Sequence, residues 1–317
     1  MIAESEGALA ALDCGTNSTR LLVAAPDGTT LQREMRITRL GEGVDAARKL
    51  TSEAIARTVA VLADYRRLMD RHGVQRARLV ATSAVRDATN ADEFLTAAED
   101  ATGVMPEVLT GLAEGTLSFA GATAHVPGEL LGRGPALVVD VGGGSTELVA
   151  GLPGVGRTPD APLSVVSMDI GCVRITERFF HHDPPLASEL DAARAAVDAT
   201  IDAARSRLPE LEPGGLLIGL AGTVSTLAAL EQGLDRYDRD RIHHFVLTRS
   251  IVDSWLGRLA AEDVRARALE RGMVEARADV IVGGVLVLNA VMAAFRQEEC
   301  LVSEDDILDG LVASLFG

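Results

Sequence analysis

The sequence predicts an α/β protein of two lobes, and two observations predict it: the length of the chain and an internal repeat. At roughly 150 residues per domain, 317 residues make about two domains. Hydrophobic residues at 47% supply a core for each, and 24% charged residues is an ordinary globular share, so disorder is not indicated. The repeat is short and ungapped. Ala11-Leu12-Asp13-Cys14-Gly15-Thr16-Asn17-Ser18-Thr19-Arg20-Leu21-Leu22-Val23 reads as apolar strand, polar Gly-containing turn, apolar strand. Val138-Val139-Asp140-Val141-Gly142-Gly143-Gly144-Ser145-Thr146-Glu147-Leu148-Val149-Ala150 reads the same way. Asp, Gly, Ser and Thr coincide at Asp13/Asp140, Gly15/Gly142, Ser18/Ser145 and Thr19/Thr146, with apolar residues on both flanks. Two copies of one supersecondary unit, each opening a new α/β stretch, mean a duplicated domain.

The elements follow in order. After the first hairpin, Pro26-Asp27-Gly28 signals a turn and residues 30–39 a third strand. A helix starts near Thr51, with Ile55, Val59, Leu62 and Met69 at helical spacing. Residues 77–82 read as a strand, and Asn90 with Glu93 as the capping box of the next helix. The second copy continues with a Pro/Gly-rich turn over 153–162 and a strand over 163–169. A long helix over 187–208 leads to a strand over 216–221 that runs into Gly222. The tail offers a helix over 279–296, a short strand over 300–303 and a helix from Asp305.

Composition removes several function classes. A net charge of -16 and a pI of about 4.8 argue against nucleic acid, which needs a basic face. Aromatics at 3% argue against a base-stacking platform. Lys49 is the only lysine, so no Gly-rich stretch ends in Gly-Lys-Ser/Thr as a P-loop would, and a Schiff-base lysine is disfavoured. Cys14, Cys172 and Cys300 are odd in number and far apart, implying neither a zinc site nor a disulfide framework. The N-terminal residues lack the basic region of a signal peptide, and the longest apolar run, over 283–295, is too short for a membrane span. The expectation is a soluble cytoplasmic protein with neither membrane nor nucleic acid as partner.

The repeated turns are where chemistry is expected. A hairpin turn rich in Gly, Ser and Thr presents several backbone N–H groups to one point, and such a nest binds anions. A single Gly142-Gly143-Gly144-Ser145 would pass for an ordinary hairpin turn; two matched copies, each led by an aspartate at a strand end, are harder to dismiss. Asp13 and Asp140 are costly strand residues unless they face a cleft, because an unpaired buried carboxylate is penalised. A divalent cation between such carboxylates and substrate phosphates removes that cost, and Mg²⁺ suits it, using one or two protein carboxylates and keeping waters.

These two turns resemble the phosphate loops of the exopolyphosphatase/guanosine pentaphosphate phosphohydrolase family. Further matches run along nearly the whole chain: Thr82-Ser83-Ala84-Val85-Arg86-Asp87-Ala88-Thr89-Asn90, Leu109-Thr110-Gly111 with Glu114, Gly171-Cys172, Ala221-Gly222-Thr223, Arg277-Ala278-Asp279, and Ser303 with Asp309-Gly310. The resemblance implies two ribonuclease-H-like (actin-like ATPase) lobes with mixed β-sheets and an interdomain cleft. The lobes are expected at 1–121 and 122–303, with a C-terminal helix over 304–317 returning to the first. It also implies that Glu114 is the general base and that Asp140, Glu147 and Asp13 hold the metal, Asp140 and Glu147 alternatively orienting the attacking water. Arg86 would clamp a phosphate, and Gly15, Thr16, Asn17, Ser18, Gly142, Gly143, Gly144, Ser145, Gly222 and Thr223 would cradle phosphoryl oxygens. The expected substrate is inorganic polyphosphate or guanosine pentaphosphate, and a homodimer is a family-based expectation. Two departures stand out: Leu112-Ala113-Glu114-Gly115 keeps one carboxylate where the family writes two adjacent glutamates, and the extra C-terminal helical domain of longer members is not expected.

Loose phosphoryl-transfer transition states need positioning and charge stabilisation more than a covalent nucleophile, so backbone N–H groups, arginine, metal and one carboxylate base suffice. Other readings stay open. A kinase on the same fold or a non-catalytic phosphate sensor are the alternatives to a hydrolase. The pairs His181-His182 and His243-His244 form no chelating i, i+4 set and read as solvated loops. Cys14 reads as a small buried residue, Gly283-Gly284 as close helix packing or a hinge, and Arg33, Arg36 and Arg39 as a solvated strand face or a guide for an anionic chain.

Overall fold

Two sheets with one strand order organise residues 7–153, 163–208 and 215–316, which the computed structural model describes. The first half contains β1 (Ala8–Cys14), β2 (Ser18–Ala24), β3 (Thr30–Ile37), α1 (Val44–Ala47), α2 (Ser52–Arg71), β4 (Val74–Ala81), α3 (Ser83–Arg86), α4 (Ala91–Thr102), β5 (Pro106–Val108) and α5 (Gly111–Thr123). Its sheet runs β3-β2-β1-β4-β5. The β1–β2–β3 meander is antiparallel, and β4 and β5 add parallel to β1.

After a 3₁₀ turn at Gly128–Arg133 come β6 (Ala136–Val141), β7 (Thr146–Gly151), β8 (Ser164–Met168), α6 (Cys172–Phe179), α7 (Ala187–Arg205), β9 (Leu216–Leu220), α8 (Ala221–Glu231), α9 (Arg239–Ile242), β10 (Val246–Thr248), α10 (Arg249–Ala261), α11 (Val264–Ala268), α12 (Ile281–Ala294), β11 (Glu299–Val302) and α13 (Ile307–Leu315). The second sheet runs β10-β11-β9-β6-β7-β8. Within it, β8-β7-β6-β9-β11 reproduces β3-β2-β1-β4-β5 with the same pattern of parallel and antiparallel pairs. The duplication seen in the turns therefore extends to the whole sheet, giving two ribonuclease-H-like units with mixed sheets.

One unit comprises Met1–Leu117 with Ile307–Gly317, and the other Ser118–Asp306. The division falls within α5, a few residues before the position near Gly121 expected from sequence. In the first unit β1 is buried on both faces. Ala10, Leu12 and Cys14 face a core shared with Leu62, Tyr65 and Phe94, while Ala11 joins Leu109, Ile307, Leu308, Leu311 and Val312. This strict alternation puts Asp13 on the same face as Ala11. The second unit repeats it: Leu137, Val139 and Val141 face the large core, and Ala136 and Val138 the one containing Phe119 and Ala122 of α5. Asp140 therefore shares a face with Val138, and Glu147 with Val149. Each buried Leu or Val contributes about 1.5–3 kcal/mol, so a one-residue slip that turned such a strand over would be prohibitive.

Local details depart from the sequence reading in two places. Thr51 caps α2, its Oγ1 accepting the Ala54 N–H at 3.1 Å, but the buried stripe is Ala54, Thr58, Leu62, Tyr65 and Met69, with Ile55 and Val59 beside it. Asn90 does not cap α4 with its side chain. Its amide instead pairs with the Leu50 backbone, accepting at 2.9 Å and donating at 3.0 Å, which ties two loops together. The expected turn over 153–162 lies, beyond Pro153, outside the described residues. No helix among the described residues is long and apolar enough to cross a membrane. The three cysteines are buried and free, with burial raising each thiol: Cys172 to about 11, Cys300 to about 12 and Cys14 well above its ordinary value.

Candidate active site

The two repeated turns close in the same way. Gly15 N–H donates to the Ser18 carbonyl and Gly142 N–H to the Ser145 carbonyl, both at 3.0 Å. A Cβ on Gly15 would sit 3.1 Å from the Ser18 oxygen, and one on Gly142 would sit 2.9 Å from the Ser145 oxygen. Glycine is required by this closure rather than by chance composition.

The first turn is built where two parallel strands of its unit, β1 and β4, reach their carboxyl ends. Thr16 Oγ1 hydrogen-bonds Ser83 Oγ at 2.9 Å, joining the loop after β1 to the helix after β4. The carbonyl of Thr16 accepts from Gly41, and that of Asn17 from Thr38 and Arg39. The Asn17 amide nitrogen is buried with no hydrogen-bond partner among the described residues, which fits an oxyanion ligand at this turn. Asp13, expected beside a metal, carries a guanidinium on one of its oxygens: its Oδ2 accepts Arg20 Nε at 2.9 Å and Nη2 at 2.7 Å. Arg20 is the residue opposite Asp13 across the β1–β2 ladder.

The second turn differs at that one place. Opposite Asp140 across the β6–β7 ladder stands Glu147. The duplicated frame thus puts an Asp–Arg pair in one unit and two adjacent carboxylates in the other. Ser118 Oγ donates to Asp140 Oδ2, and Ser167 Oγ to Glu147 Oε1, each at 2.7 Å. Glu147 is only 1% exposed. Two carboxylates on neighbouring strands and one face repel unless a cation joins them, and oxygen donors of this kind suit a hard divalent ion. Among the described residues no group of three or more His, Cys, Asp or Glu side chains forms a closed metal cage; a magnesium site completed by water and substrate needs none.

The second turn is also oriented from behind. Cys172 N–H donates to the Gly142 carbonyl at 2.9 Å; Val173 N–H at 2.9 Å and Arg174 N–H at 3.2 Å donate to that of Gly143. A trans peptide points its N–H opposite its C=O. Fixing the carbonyls of Gly142 and Gly143 onto α6 turns the N–H groups of Gly143 and Gly144 the other way, into the anion-binding sense of a nest. Gly171 makes the approach possible, since a Cβ there would meet the Gly143 oxygen at 2.5 Å.

Gly222 and Thr223 open α8 at the end of β9, which pairs parallel to β6 so that Leu220 lies beside Asp140. The second turn and the α8 N-terminus thus leave the carboxyl ends of adjacent parallel strands, the usual ligand position in α/β sheets. The first N–H groups of α8 have no intrahelical acceptor. Ala221 takes φ 67° to make the entry, and the Arg277 guanidinium lies against Gly222, where a Cβ would sit 1.8 Å from Nη1.

Arg86 ends the short helix α3. Its Nη1 donates to the Leu109 carbonyl at 2.8 Å and to Glu114 Oε2 at 3.2 Å, while the neighbouring Asp87 pairs with Arg48. Glu114 lies in the first turn of α5 and is 9% exposed. Ser118, the donor to Asp140, follows it by one helical turn and so lies on the same side of α5. The arginine-held carboxylate Glu114 in one unit, the Asp140–Glu147 carboxylate pair in the other and a glycine turn in each are separately the kinds of group that bind or hydrolyse phosphate esters and anhydrides.

Two arginines near these residues, Arg20 and Arg174, had no role in the sequence reading, and Arg277 entered it only as part of a family match. The repeat itself held a signal for Arg20, which falls at the Glu147 position of the other copy. The remaining expectations resolve as follows. His181 and His182 are exposed, but His243 and His244 are half-buried and stacked at 3.7 Å rather than solvated, and burial pulls His243 down to about 4. Gly283 and Gly284 pack α12 against Cys172 and Thr223. Arg33 pairs with Asp309, whereas Arg36 is exposed.

Known proteins resemble this chain along nearly its whole length. Residues 23–316 match the profile of the Ppx/GppA phosphatase family. A protein named exopolyphosphatase 2 from Mycobacterium tuberculosis is 42% identical across 98% of each chain. A guanosine-5'-triphosphate,3'-diphosphate pyrophosphatase from Photobacterium profundum is 30% identical over 97% of this chain and 59% of that relative. The crystal structure of an exopolyphosphatase-like protein superposes with a TM-score of 0.89 at 36% identity, covering 98% of both.

Proposed function

The chain belongs to the Ppx/GppA phosphatase family, and on that premise we propose that it is an exopolyphosphatase, cleaving the terminal phosphoanhydride of inorganic polyphosphate to release orthophosphate. The observation that carries this reading is the second turn, with its carbonyls drawn back onto α6 and the Asp140–Glu147 pair at its base.

In the second unit, phosphoryl oxygens bind to the N–H groups of Gly143 and Gly144, to Ser145 and to the α8 N-terminus at Gly222 and Thr223. In the first unit, Gly15, Thr16, Asn17 and Ser18 offer phosphate donors of the same kind, and Arg86 contributes cationic charge. Glu114 accepts a proton from the attacking water at its carboxylate as the water oxygen bonds to phosphorus. The P–O bond to the next phosphate breaks in line, leaving orthophosphate and a chain shortened by one unit. Asp140 and Glu147 are the residues that would hold Mg²⁺, which supplies charge neutralisation to the phosphoryl oxygens when bound. Asp13 balances Arg20 at the first turn. No covalent intermediate is needed.

Polyphosphate is favoured over guanosine pentaphosphate for two reasons. The relative named for polyphosphate matches end to end at higher identity, and 3% aromatic residues leave few rings for a purine. The test is orthophosphate release from polyphosphates of graded length, from guanosine pentaphosphate and from ATP, each with Mg²⁺ and with chelator. Metal-dependent release with the highest kcat/KM on polyphosphate is expected. Preference for the nucleotide would replace this reading with its alternative.

A further inference from the structure

Backbone donors of α6 fix the carbonyls of Gly142 and Gly143, but the next peptide, between Gly144 and Ser145, lies beyond their reach. It is held by a side chain. Arg174 Nε donates to the Gly144 carbonyl at 2.7 Å, from a residue only 5% exposed. The same residue's backbone N–H holds Gly143, so Arg174 grips two consecutive loop carbonyls with two different groups. By the peptide geometry used above, a Gly144 carbonyl fixed toward Arg174 turns the Ser145 N–H to the substrate face. A guanidinium is suited to this, being permanently charged, planar and able to donate in several directions at once. A buried cation directly behind the turn also strengthens the field that a phosphate meets, in a chain whose net charge of -16 opposes any polyanion.

We propose that Arg174 is a positioning residue for phosphoryl transfer: it sets the Gly144–Ser145 peptide so that the Ser145 N–H completes the nest, and it places a fixed positive charge behind that nest. This rests on the second turn being the phosphate site, as argued above. Arg174 touches the loop and acts through it; it is not required to contact substrate.

The experiment uses the full chain and long-chain polyphosphate with Mg²⁺, comparing wild type with Arg174→Ala and Arg174→Lys. Each protein is assayed alone, with millimolar guanidinium and with urea at the same concentration, and its melting temperature is measured alongside. Arg174→Ala is expected to lower kcat/KM by about 10²–10³-fold, the worth of one preorganised donor. Guanidinium is expected to restore at least about tenfold of it, and urea none; a purely structural role would not respond to the small cation in this way. Arg174→Lys keeps the charge but not the fork, and is expected to melt near wild type with kcat down about tenfold or more. Folded variants within about threefold of wild type, or a loss that guanidinium does not relieve, would overturn the role of Arg174. If Arg174→Ala does not fold, the lysine variant decides, since near-normal turnover there overturns the proposal. A wild type that releases no orthophosphate from polyphosphate would instead sink the proposed function, so the two failures are distinct.

Discussion

A single methyl group at Gly171 tests how tightly the second turn must be held. The backbone there is extended (φ -166°), a conformation alanine adopts freely, so Gly171→Ala acts by packing alone. The added Cβ would lie 2.5 Å from the Gly143 oxygen, 2.7 Å from its carbonyl carbon and 2.8 Å from the Gly142 oxygen. Ordinary contact begins at 3.4 Å, so the closest pair must part by about 0.9 Å (3.4 less 2.5). The atoms in the way are main chain, and they are the carbonyls that α6 holds, so no flexible side chain can absorb the shift. Overpacking of this kind costs about 1–3 kcal/mol in stability. A displacement near 1 Å at a positioning loop costs about 10²-fold in rate. We therefore expect Gly171→Ala to remain folded with a melting temperature lowered by several degrees and kcat for orthophosphate release reduced about 10²-fold. Gly257→Ala is the control: no atom lies within 4 Å of a Cβ in α10, so it should gain about 1 kcal/mol of helix stability with unchanged kcat. A folded Gly171→Ala enzyme with kcat within about threefold of wild type would refute the reasoning that the second turn's position sets the rate.

Glu114→Gln removes the proposed base while keeping its shape; kcat should fall by about 10²–10⁴-fold with polyphosphate binding retained, as equilibrium binding and turnover measured together will show. Ala221→Gly relieves a positive-φ alanine at the β9–α8 junction and should raise stability by about 1 kcal/mol in denaturant titration. His243 accepts the Glu304 N–H at Nδ1 (3.1 Å), so its neutral form is the native one, and burial holds its pKa at about 4 against an ordinary 6.5. The unfolded chain then takes up the proton first, so this contribution is fully present above pH 6.5 and is lost as pH falls toward and through 4. Melting temperatures between pH 7 and 4 should fall less steeply in His243→Asn than in wild type; identical slopes would contradict the assignment.

Much of this molecule could be read from its sequence because the informative features are local. The Asp–x–Gly turn followed by Ser-Thr fixes a hairpin closure, and finding it at Gly15 and again at Gly142 implied two like sheets before any strand pairing was known. What escaped was set by contacts distant in sequence. Asn90 looked like a helix cap but is used 40 residues away at Leu50. His243 and His244 looked like loop residues, yet Val302 and Glu304 engage them from the far end of the chain. Arg174 sits in an unremarkable helical pattern, and only its meeting with Gly144 shows what it holds. The segment 221–268, where short helices carry little periodicity, gave almost no advance signal beyond Gly222-Thr223.

The central claim is that this chain removes terminal phosphates from polyphosphate, one at a time. Phosphorus NMR of long-chain polyphosphate during turnover with Mg²⁺ observes it directly, because orthophosphate, chain-end and internal phosphates resonate apart. Orthophosphate is expected as the only new signal, with the chain-end signal constant while internal phosphate declines. Growth of chain ends without matching orthophosphate, or an unchanged polyphosphate spectrum under conditions that consume guanosine pentaphosphate, would contradict it.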